Sequence, residues 1–307
     1  MIISGRAIIL ITLSISEEKT MSILTAIFQA LFQAVCRIFP ISETAHSSIF
    51  HDFAGRFSGE CSSLTGIVHI GIAVGIVIAS YKLFLKMSYE LFSTVGDVFK
   101  KRLKGNKPSG ARHYMYMTLM SFCPMLLWLI PCGKYGLLYN VLRTTQFNKT
   151  LLDDGLFLAV TGVLLILASV QLAKSSIPKP VAELPAIIVG ALSVFLIPVS
   201  GFSFIGVVLA VLVLFGVSKR HAINYSLLMS VPVLVVSGIV EICVSVTHVG
   251  VASIIIGLVI SIIASFFSTV FLKYFVSKGY LKYFGYYDVA LGIIIFVIGI
   301  FELILRK

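Results

Sequence analysis

The sequence predicts an all-α membrane protein with about six transmembrane helices and two proline-broken, re-entrant helix pairs arranged as inverted repeats. Of its 307 residues, 58% are hydrophobic and only 12% are charged, and the mean hydropathy is +1.04. Soluble domains carry about twice that share of charged residues, roughly 25%. Apolar windows long enough to cross a bilayer, roughly 20 residues each, also recur along the whole chain. These observations exclude a soluble globular fold.

Six uninterrupted apolar windows are the clearest candidates for spanning helices. They cover residues 64–84, 114–130, 155–173, 223–246, 251–276 and 287–305. Two further pairs of shorter windows each contain a break: 23–39 with 41–53, and 185–197 with 202–215. We expect a single membrane domain over residues 21–307, with repeat halves of roughly 21–173 and 184–307.

Residues 1–20 are expected to be an N-terminal extension rather than a signal sequence. Their apolar run is too short to span a bilayer and lacks a small-residue cleavage site. A natural start at Met21 would explain the extension equally well.

The net charge of +11 has a local cause, because basic residues crowd into one loop. They are Lys100, Lys101, Arg102, Lys104, Lys107 and Arg112, with Lys82 and Lys86 at the entrance. The positive-inside bias predicts that the loop formed by residues 86–113 is cytoplasmic. Contact with anionic lipid headgroups is the alternative use of the same residues. The charge therefore does not indicate nucleic-acid binding, and the five cysteines show no metal-ligand spacing.

Two similar proline-containing breaks interrupt the apolar pairs, Phe39-Pro-Ile-Ser42 and Ile197-Pro-Val-Ser200. In hydrocarbon, a broken helix survives only where protein or a water-filled cavity satisfies its free peptide groups. Paired breaks in corresponding positions of two halves point to a binding site between them. We therefore expect the two breaks to form the functional site.

Ionisable side chains cluster around the first break, where Arg37, Glu43 and His46 lie within ten residues of one another. Each costs about 2.5–3.5 kcal/mol near the middle of a membrane, so each needs a structural or functional reason. Two interpretations remain open: an internal ion pair that holds the broken segment in shape, and a polar site that meets a ligand. Glu241, in a later window, is expected to reach the membrane interface.

Residues 33–46, Q-A-V-C-R-I-F-P-I-S-E-T-A-H, resemble the first signature of the bacterial undecaprenyl-diphosphatase family, also called the bacitracin-resistance family. That signature reads E-G-x-T-E-F-L-P-V-S-S-T-G-H. Further likenesses follow in the same order along the chain. His69-Ile-Gly71 resembles the family's H-L-G, and residues 200–206 resemble its P-G-x-S-R-S-G. Residues 215–219 resemble its M-G-x-S-R, and residues 222–232 its A-S-E-F-S-F-L-L-A-V-P. Phe284-Gly-Tyr-Tyr287 lies where the family has F-x-x-Y-R.

The resemblance implies an enzyme of the plasma membrane that hydrolyses undecaprenyl pyrophosphate to the monophosphate on the outer side. It implies two re-entrant units of inverted orientation that meet at the site, and a divalent cation held by an acidic pair. Its catalytic positions correspond here to Ser42, Thr44, His46 and Ser203. Substrate-binding positions at and beside the two motifs are Arg37, Glu43, Ser200, Gly201 and Gly206. Membrane lipids and the polyprenyl lipid are the expected partners.

The chain departs from the family pattern at its charged positions. The acidic pair is replaced by Gln33 and Arg37, the second serine of the first motif by Glu43, and the arginine of the second motif by Phe204. The matching metal ligands are therefore absent. Phosphoryl transfer depends on cations and aligned donors around the phosphate, so these changes predict a large loss of rate unless Arg37, Glu43 and His46 form a rebuilt site.

Three hypotheses follow from the sequence. The first is an undecaprenyl-diphosphatase in an ordinary or rebuilt form. The second is a non-catalytic binder or transporter of a polyprenyl phosphate or a similar amphiphile, which would use the same two breaks. The third is a structural protein in which Arg37 and Glu43 form a buried ion pair.

Overall fold

The computed structural model describes residues 23–54, 63–100, 110–133, 138, 141–142, 151–174, 179–245 and 249–305. The predicted all-α class is confirmed: these residues are helical almost throughout, and an isolated backbone bridge joins Lys179 to Val217. The predicted N-terminal extension and residues 101–109 of the basic loop lie outside the described residues.

The helices are numbered here in chain order. They are α1 (Ile23–Ile38), α2 (Glu43–Ala54), α3 (Ser63–Ala79), α4 (Tyr81–Phe99), α5 (Gly110–Phe122), α6 (Leu151–Lys174), α7 (Glu183–Leu196), α8 (Phe204–Leu214), α9 (Lys219–Val244), α10 (Val251–Lys278) and α11 (Leu281–Leu305). A short 3-10 helix, Cys123–Leu129, follows α5 directly.

Within the described part of the chain, four helices are long and apolar enough to cross a membrane: α6, α9, α10 and α11. Each coincides with one predicted window. A fifth crossing is formed if α3 and α4 are taken together, although the chain bends by 92° between them. The window 64–84 therefore ends earlier than predicted, at the bend beside Ser80. The chain is a multi-pass membrane protein.

The window 114–130 is not one continuous α-helix. Helix α5 ends at Phe122, and Pro124 is the second residue of the 3-10 helix that follows. Proline has no N–H to donate, and its ring clashes with the preceding turn of an α-helix. This break is one reason why the spanning helices number four or five instead of the expected six or so.

Helices α6 and α11 pack through glycines spaced seven residues apart. Gly155 and Gly162 of α6 face Gly285, Gly292 and Gly299 of α11. A Cβ atom on Gly292 would lie 2.6 Å from the backbone nitrogen of Ala159 and 2.7 Å from the carbonyl oxygen of Gly155. Only glycine permits this approach of the two backbones, as in other membrane helix pairs that meet through small residues.

Replacing Gly292 with leucine is expected to destabilise the protein because the new side chain would separate α6 from α11. Overpacking of a well-packed interface costs about 1–3 kcal/mol, and the loss should appear as a lower midpoint of thermal unfolding in detergent. Gly96→Leu is the matched control, since a Cβ on Gly96 of α4 meets nothing within 4 Å. Equal unfolding midpoints for the two variants would contradict the close glycine contact between α6 and α11.

Helix α3 packs against α9 at a second glycine contact. A Cβ on Gly66 would lie 2.5 Å from the carbonyl oxygen of Gly238, and one on Gly238 would lie 2.7 Å from that of Gly66. Residues three positions further along each helix lie on nearly the same face. The contact therefore directs His69 of α3 and Glu241 of α9 towards each other.

Candidate active site

The two proline breaks meet inside the bundle. The first lies between α1 and α2, the second between α7 and α8, and the backbone N–H of Gly201 donates to Thr44 Oγ1 across 2.8 Å. Gly201 has a φ of +94°, and a Cβ there would lie 2.9 Å from the Cα of Asp154. A glycine is thus required where the second break passes close to α6. The structure brings the predicted residues of both breaks together.

Serines cap the helices that leave the two breaks. Ser42 Oγ accepts from the backbone N–H of Ala45 at 3.1 Å, and Ser203 Oγ accepts from that of Gly206 at 3.2 Å. Both serines are buried and satisfy first-turn N–H groups that would otherwise lack partners. Their first role is therefore to fix the N-termini of α2 and α8. Gly206 lies against Pro40, where a Cβ would approach the proline ring to 3.1 Å.

Thr44 is the exposed hydroxyl of the first break. Its Oγ1 lies 3.0 Å from Ser42 Oγ and accepts from Gly201, so it stands where the N-termini of two helices converge. Helix N-termini carry partial positive charge and free N–H groups, which favour anions. The position suits a phosphate oxygen.

His46 is anchored at both ring nitrogens. Nδ1 lies 2.6 Å from the carbonyl oxygen of Ser42, and Nε2 lies 2.7 Å from the hydroxyl of Tyr287 on α11. Because a carbonyl only accepts, Nδ1 carries the proton. In the neutral imidazole, Nε2 bears the lone pair and accepts from the Tyr287 hydroxyl. This is the tautomer that a general base at Nε2 requires.

Four side chains, called the charge chain from here on, form a continuous series of ion pairs from the first break into the bundle. They are Arg37, Glu43, His69 and Glu241. Arg37 Nη1 lies 3.3 Å from Glu43 Oε2, Glu43 Oε1 lies 3.2 Å from His69 Nε2, and His69 Nδ1 lies 2.7 Å from Glu241 Oε2. Each ring nitrogen of His69 therefore lies within ion-pair distance of a carboxylate, and two such neighbours favour the cationic ring. With His69 cationic, two positive charges balance two negative ones.

The charge chain adds contacts that the sequence did not predict. Glu241 pairs with buried His69, and the expectation that Glu241 reaches the membrane interface stays a prediction. The expected Arg37–Glu43 ion pair is present. His69 had been noted in the family motif only, and no local pattern identified it as the partner of Glu43.

Two neighbouring acidic residues lie beside the second break, and the sequence analysis did not identify them. Asp153 and Asp154 of α6 are both buried, and Ser200 Oγ donates to Asp154 Oδ1. Asp153 Oδ2 has no hydrogen-bond partner among the described residues. Two adjacent acids at the entrance of an apolar window were the signal that could have identified them.

Asp288 of α11 is another buried carboxylate that the sequence reasoning left out of the site. It is fully buried, and neither of its oxygens has a hydrogen-bond partner in the described part of the chain. It follows Tyr287 directly, so the same turn of α11 supplies the partner of His46 and an unpaired acid.

The residues at the expected cation-binding positions do not fit a divalent metal ion. Gln33 is a buried amide with an unpaired Oε1, and Arg37 is itself a cation engaged by Glu43. Hard divalent cations prefer several carboxylate or carbonyl oxygens. Among the described residues, no group of three histidine, cysteine or acidic side chains is arranged to hold a metal.

The second break also lacks the cation that the resemblance places there. Phe204 and Ile205, which occupy the arginine and serine positions, are buried in the hydrophobic core. Arg37, in the last turn of the helix that precedes the first break, is a cation beside that break, and it is shared with Glu43.

Comparison with known proteins gives a consistent result over most of the chain. The family model described as "Bacitracin resistance protein BacA" matches residues 26–294. The undecaprenyl-diphosphatase of Methanococcus vannielii is 27% identical over 261 residues, which cover 85% of this chain and 94% of that protein. The undecaprenyl-diphosphatase of Halothermothrix orenii is 28% identical over 294 residues, covering 92% of this chain and all of its own. The undecaprenyl-diphosphatase of Methanosphaera stadtmanae is 27% identical over 291 residues, which cover 91% of this chain and 99% of that protein.

Proposed function

The chain belongs to the bacitracin resistance protein BacA family, and we propose that it is an undecaprenyl-diphosphatase, which hydrolyses undecaprenyl pyrophosphate to the monophosphate. The observation that carries the proposal is the meeting of the two breaks at the Gly201–Thr44 hydrogen bond. It joins two helix N-termini, an exposed hydroxyl and the neutral imidazole of His46 in one polar site within an apolar bundle.

The proposed reaction needs a base, a nucleophilic water and donors for the phosphate oxygens. His46 accepts the proton of the attacking water at Nε2 when the Tyr287 hydroxyl turns from Nε2 to the water and holds it beside the ring by a hydrogen bond. The water oxygen bonds to the terminal phosphorus, the bridging P–O bond breaks, and inorganic phosphate and the lipid monophosphate are released. Thr44 and the N–H groups at the start of α2 and α8 stabilise the charge on the phosphate oxygens.

The site is proposed to work more slowly than one with a full set of cations. A single arginine that clamps a phosphate in the transition state is worth about 10³–10⁵ in rate. At the second break, the position of that arginine is occupied by Phe204, which is buried. At the first break, the Arg37 guanidinium is already paired with Glu43. The Arg37 side chain is partly exposed and supplies its remaining N–H donors to the phosphate.

The proposal is tested by phosphate release from undecaprenyl pyrophosphate by the purified full-length chain, with magnesium and with a chelator. Release by the wild-type chain above that of His46→Ala is the expected result, because the variant lacks the base. His113→Ala is the matched control; this histidine contacts the Val181 carbonyl, away from the breaks. Phosphate release by the wild-type chain no greater than that by His46→Ala would overturn the proposal that this site hydrolyses the substrate.

A second candidate is a non-catalytic binder or transporter of a polyprenyl phosphate. The charge chain favours it, because Glu43 and His69 are both occupied by charged neighbours and are not free to act on a substrate. Paired breaks between repeat halves are also a common site of alternating access. Saturable binding of undecaprenyl phosphate without phosphate release from the pyrophosphate would select this function.

We also propose the plasma membrane as the location, with loop 86–113 in the cytoplasm and the paired breaks open to the outer side. The basic residues of the loop support this orientation. A cysteine in place of Lys100 is expected to resist a membrane-impermeant maleimide in intact cells and to react after permeabilisation. The parental chain reports the labelling of native cysteines, and labelling of the new cysteine in intact cells would reverse the orientation.

A further inference from the structure

A cavity of about 670 Å³ lies at the end of the bundle away from the charge chain. Its walls are the end of α3, the start of α4, the start of α9 and the end of α10. At 1.5 Å per helical residue, Ala79 at the cavity is roughly 15 Å along α3 from His69. Arg220 is likewise roughly 30 Å along α9 from Glu241. The cavity is therefore separate from the paired breaks.

Five cations line this cavity: Lys82, Lys86, Lys219, Arg220 and Lys273. Among the described residues, no acidic side chain lines the cavity, and no ion pair involves these five cations. Like charges gathered around one concave space repel one another and raise the local concentration of anions. A bound anion would relieve that repulsion.

Lys273 distinguishes the cavity from an ordinary basic membrane edge. It belongs to α10 and is half-buried, and its Nζ donates to the Ala79 carbonyl at 3.1 Å and to Ser80 Oγ at 2.6 Å. An ammonium group has three donors, so one remains after these two bonds. The bonds fix a positive charge in the cavity wall, with a donor left for a ligand.

We propose that this cavity binds the phosphate headgroup of an anionic membrane lipid. Basic pockets between transmembrane helices are suited to such headgroups. The apolar surface beside the cavity favours a lipid over free phosphate, since α4 leaves the bundle at 92° and exposes Tyr89, Phe92 and Phe99. An amphipathic helix of this kind lies in the membrane interface, at the depth where lipid phosphates are found. The site does not depend on the proposed hydrolase activity.

The test measures binding of dihexanoylphosphatidic acid, dihexanoylphosphatidylcholine and inorganic phosphate to the detergent-solubilised full-length chain. Phosphatidic acid is expected to bind more tightly than the other two. The double variant Lys219→Gln with Arg220→Gln is expected to weaken its binding by roughly tenfold or more, because each removed cation lowers the attraction to an anionic lipid.

The matched control is Lys278→Gln with Lys282→Gln. It removes the same charge near the same end of the bundle, from exposed residues that do not line the cavity. An equal loss in both double variants would overturn the proposal, as would equal binding of phosphatidic acid and phosphatidylcholine. Inorganic phosphate binding as tightly as phosphatidic acid, and lost in the same variant, would support the phosphate site and identify free phosphate as its occupant.

If the Lys219 and Arg220 variant fails to fold, Lys82→Gln with Lys86→Gln removes two cations from the opposite wall. Unfolding midpoints without ligand show which variants are folded. The same tenfold weakening is expected, and unchanged binding in a folded Lys82 and Lys86 variant would overturn the proposal.

Discussion

Replacing Glu43 with glutamine is expected to lower the free energy of unfolding by roughly 3–5 kcal/mol, the usual cost of removing one partner from a buried ion pair. Glu43 is 7% exposed and lies between Arg37 and His69. The neutral amide would leave Arg37 and the buried His69 opposed by Glu241 alone. The measurement is the midpoint of thermal unfolding in detergent, converted to a free-energy difference.

Glu183→Gln is the matched control, because Glu183 is also in the first turn of its helix but is exposed. An exposed acid at a helix N-terminus contributes about 0.3–1 kcal/mol. A loss at Glu43 no larger than that at Glu183 would show that the charge chain does not stabilise the fold.

Exchanging the pair, Arg37→Glu with Glu43→Arg, tests whether a simple two-membered ion pair is present. A two-membered pair would tolerate the exchange. In the structure the new arginine at position 43 would face His69, whose cationic form is favoured by the two carboxylates beside it. The exchange is therefore expected to destabilise the protein about as much as Glu43→Gln, and recovery to wild-type stability would contradict the four-membered chain.

The sequence predicted the features that are local in the chain. The apolar windows identified α6, α9, α10 and α11, because roughly 20 consecutive apolar residues have few alternatives to a spanning helix. The two proline motifs located the breaks because proline lacks the N–H of a helix hydrogen bond and small and hydroxyl residues follow it, whereas Pro232 alone does not interrupt α9.

The partners of the site residues could not be predicted because they depend on how distant helices pack. Glu43 meets His69, and His69 meets Glu241, only because Gly66 and Gly238 bring α3 against α9. Windows that are apolar all round carry little amphipathic signal to show which face is inward. Tyr287 is a further example, since it reaches His46 from 241 positions along the chain.

Tyr287→Phe is expected to reduce hydrolysis about tenfold, far less than His46→Ala. Phenylalanine removes the hydroxyl that donates to Nε2 at 2.7 Å, while Nδ1 stays bonded to the Ser42 carbonyl at 2.6 Å. The lost hydrogen bond is worth about 0.5–1.5 kcal/mol, so the imidazole is held less firmly but keeps its proton on Nδ1. Removing a general base altogether costs about 10²–10⁴ in rate.

The measurement is the initial rate of phosphate release from undecaprenyl pyrophosphate by each purified variant across a range of pH. Tyr286→Phe is the control, because Tyr286 precedes Tyr287 on α11 and is exposed. A positioning role predicts a lower rate for Tyr287→Phe with the wild-type pH profile, since the base is still His46. A loss as large as that of His46→Ala would instead place the Tyr287 hydroxyl in the path of the proton. Loss of the Tyr287 hydrogen bond and loss of the His46 imidazole therefore have different expected effects, and the rates of the two variants distinguish a positioning role from a role in proton transfer.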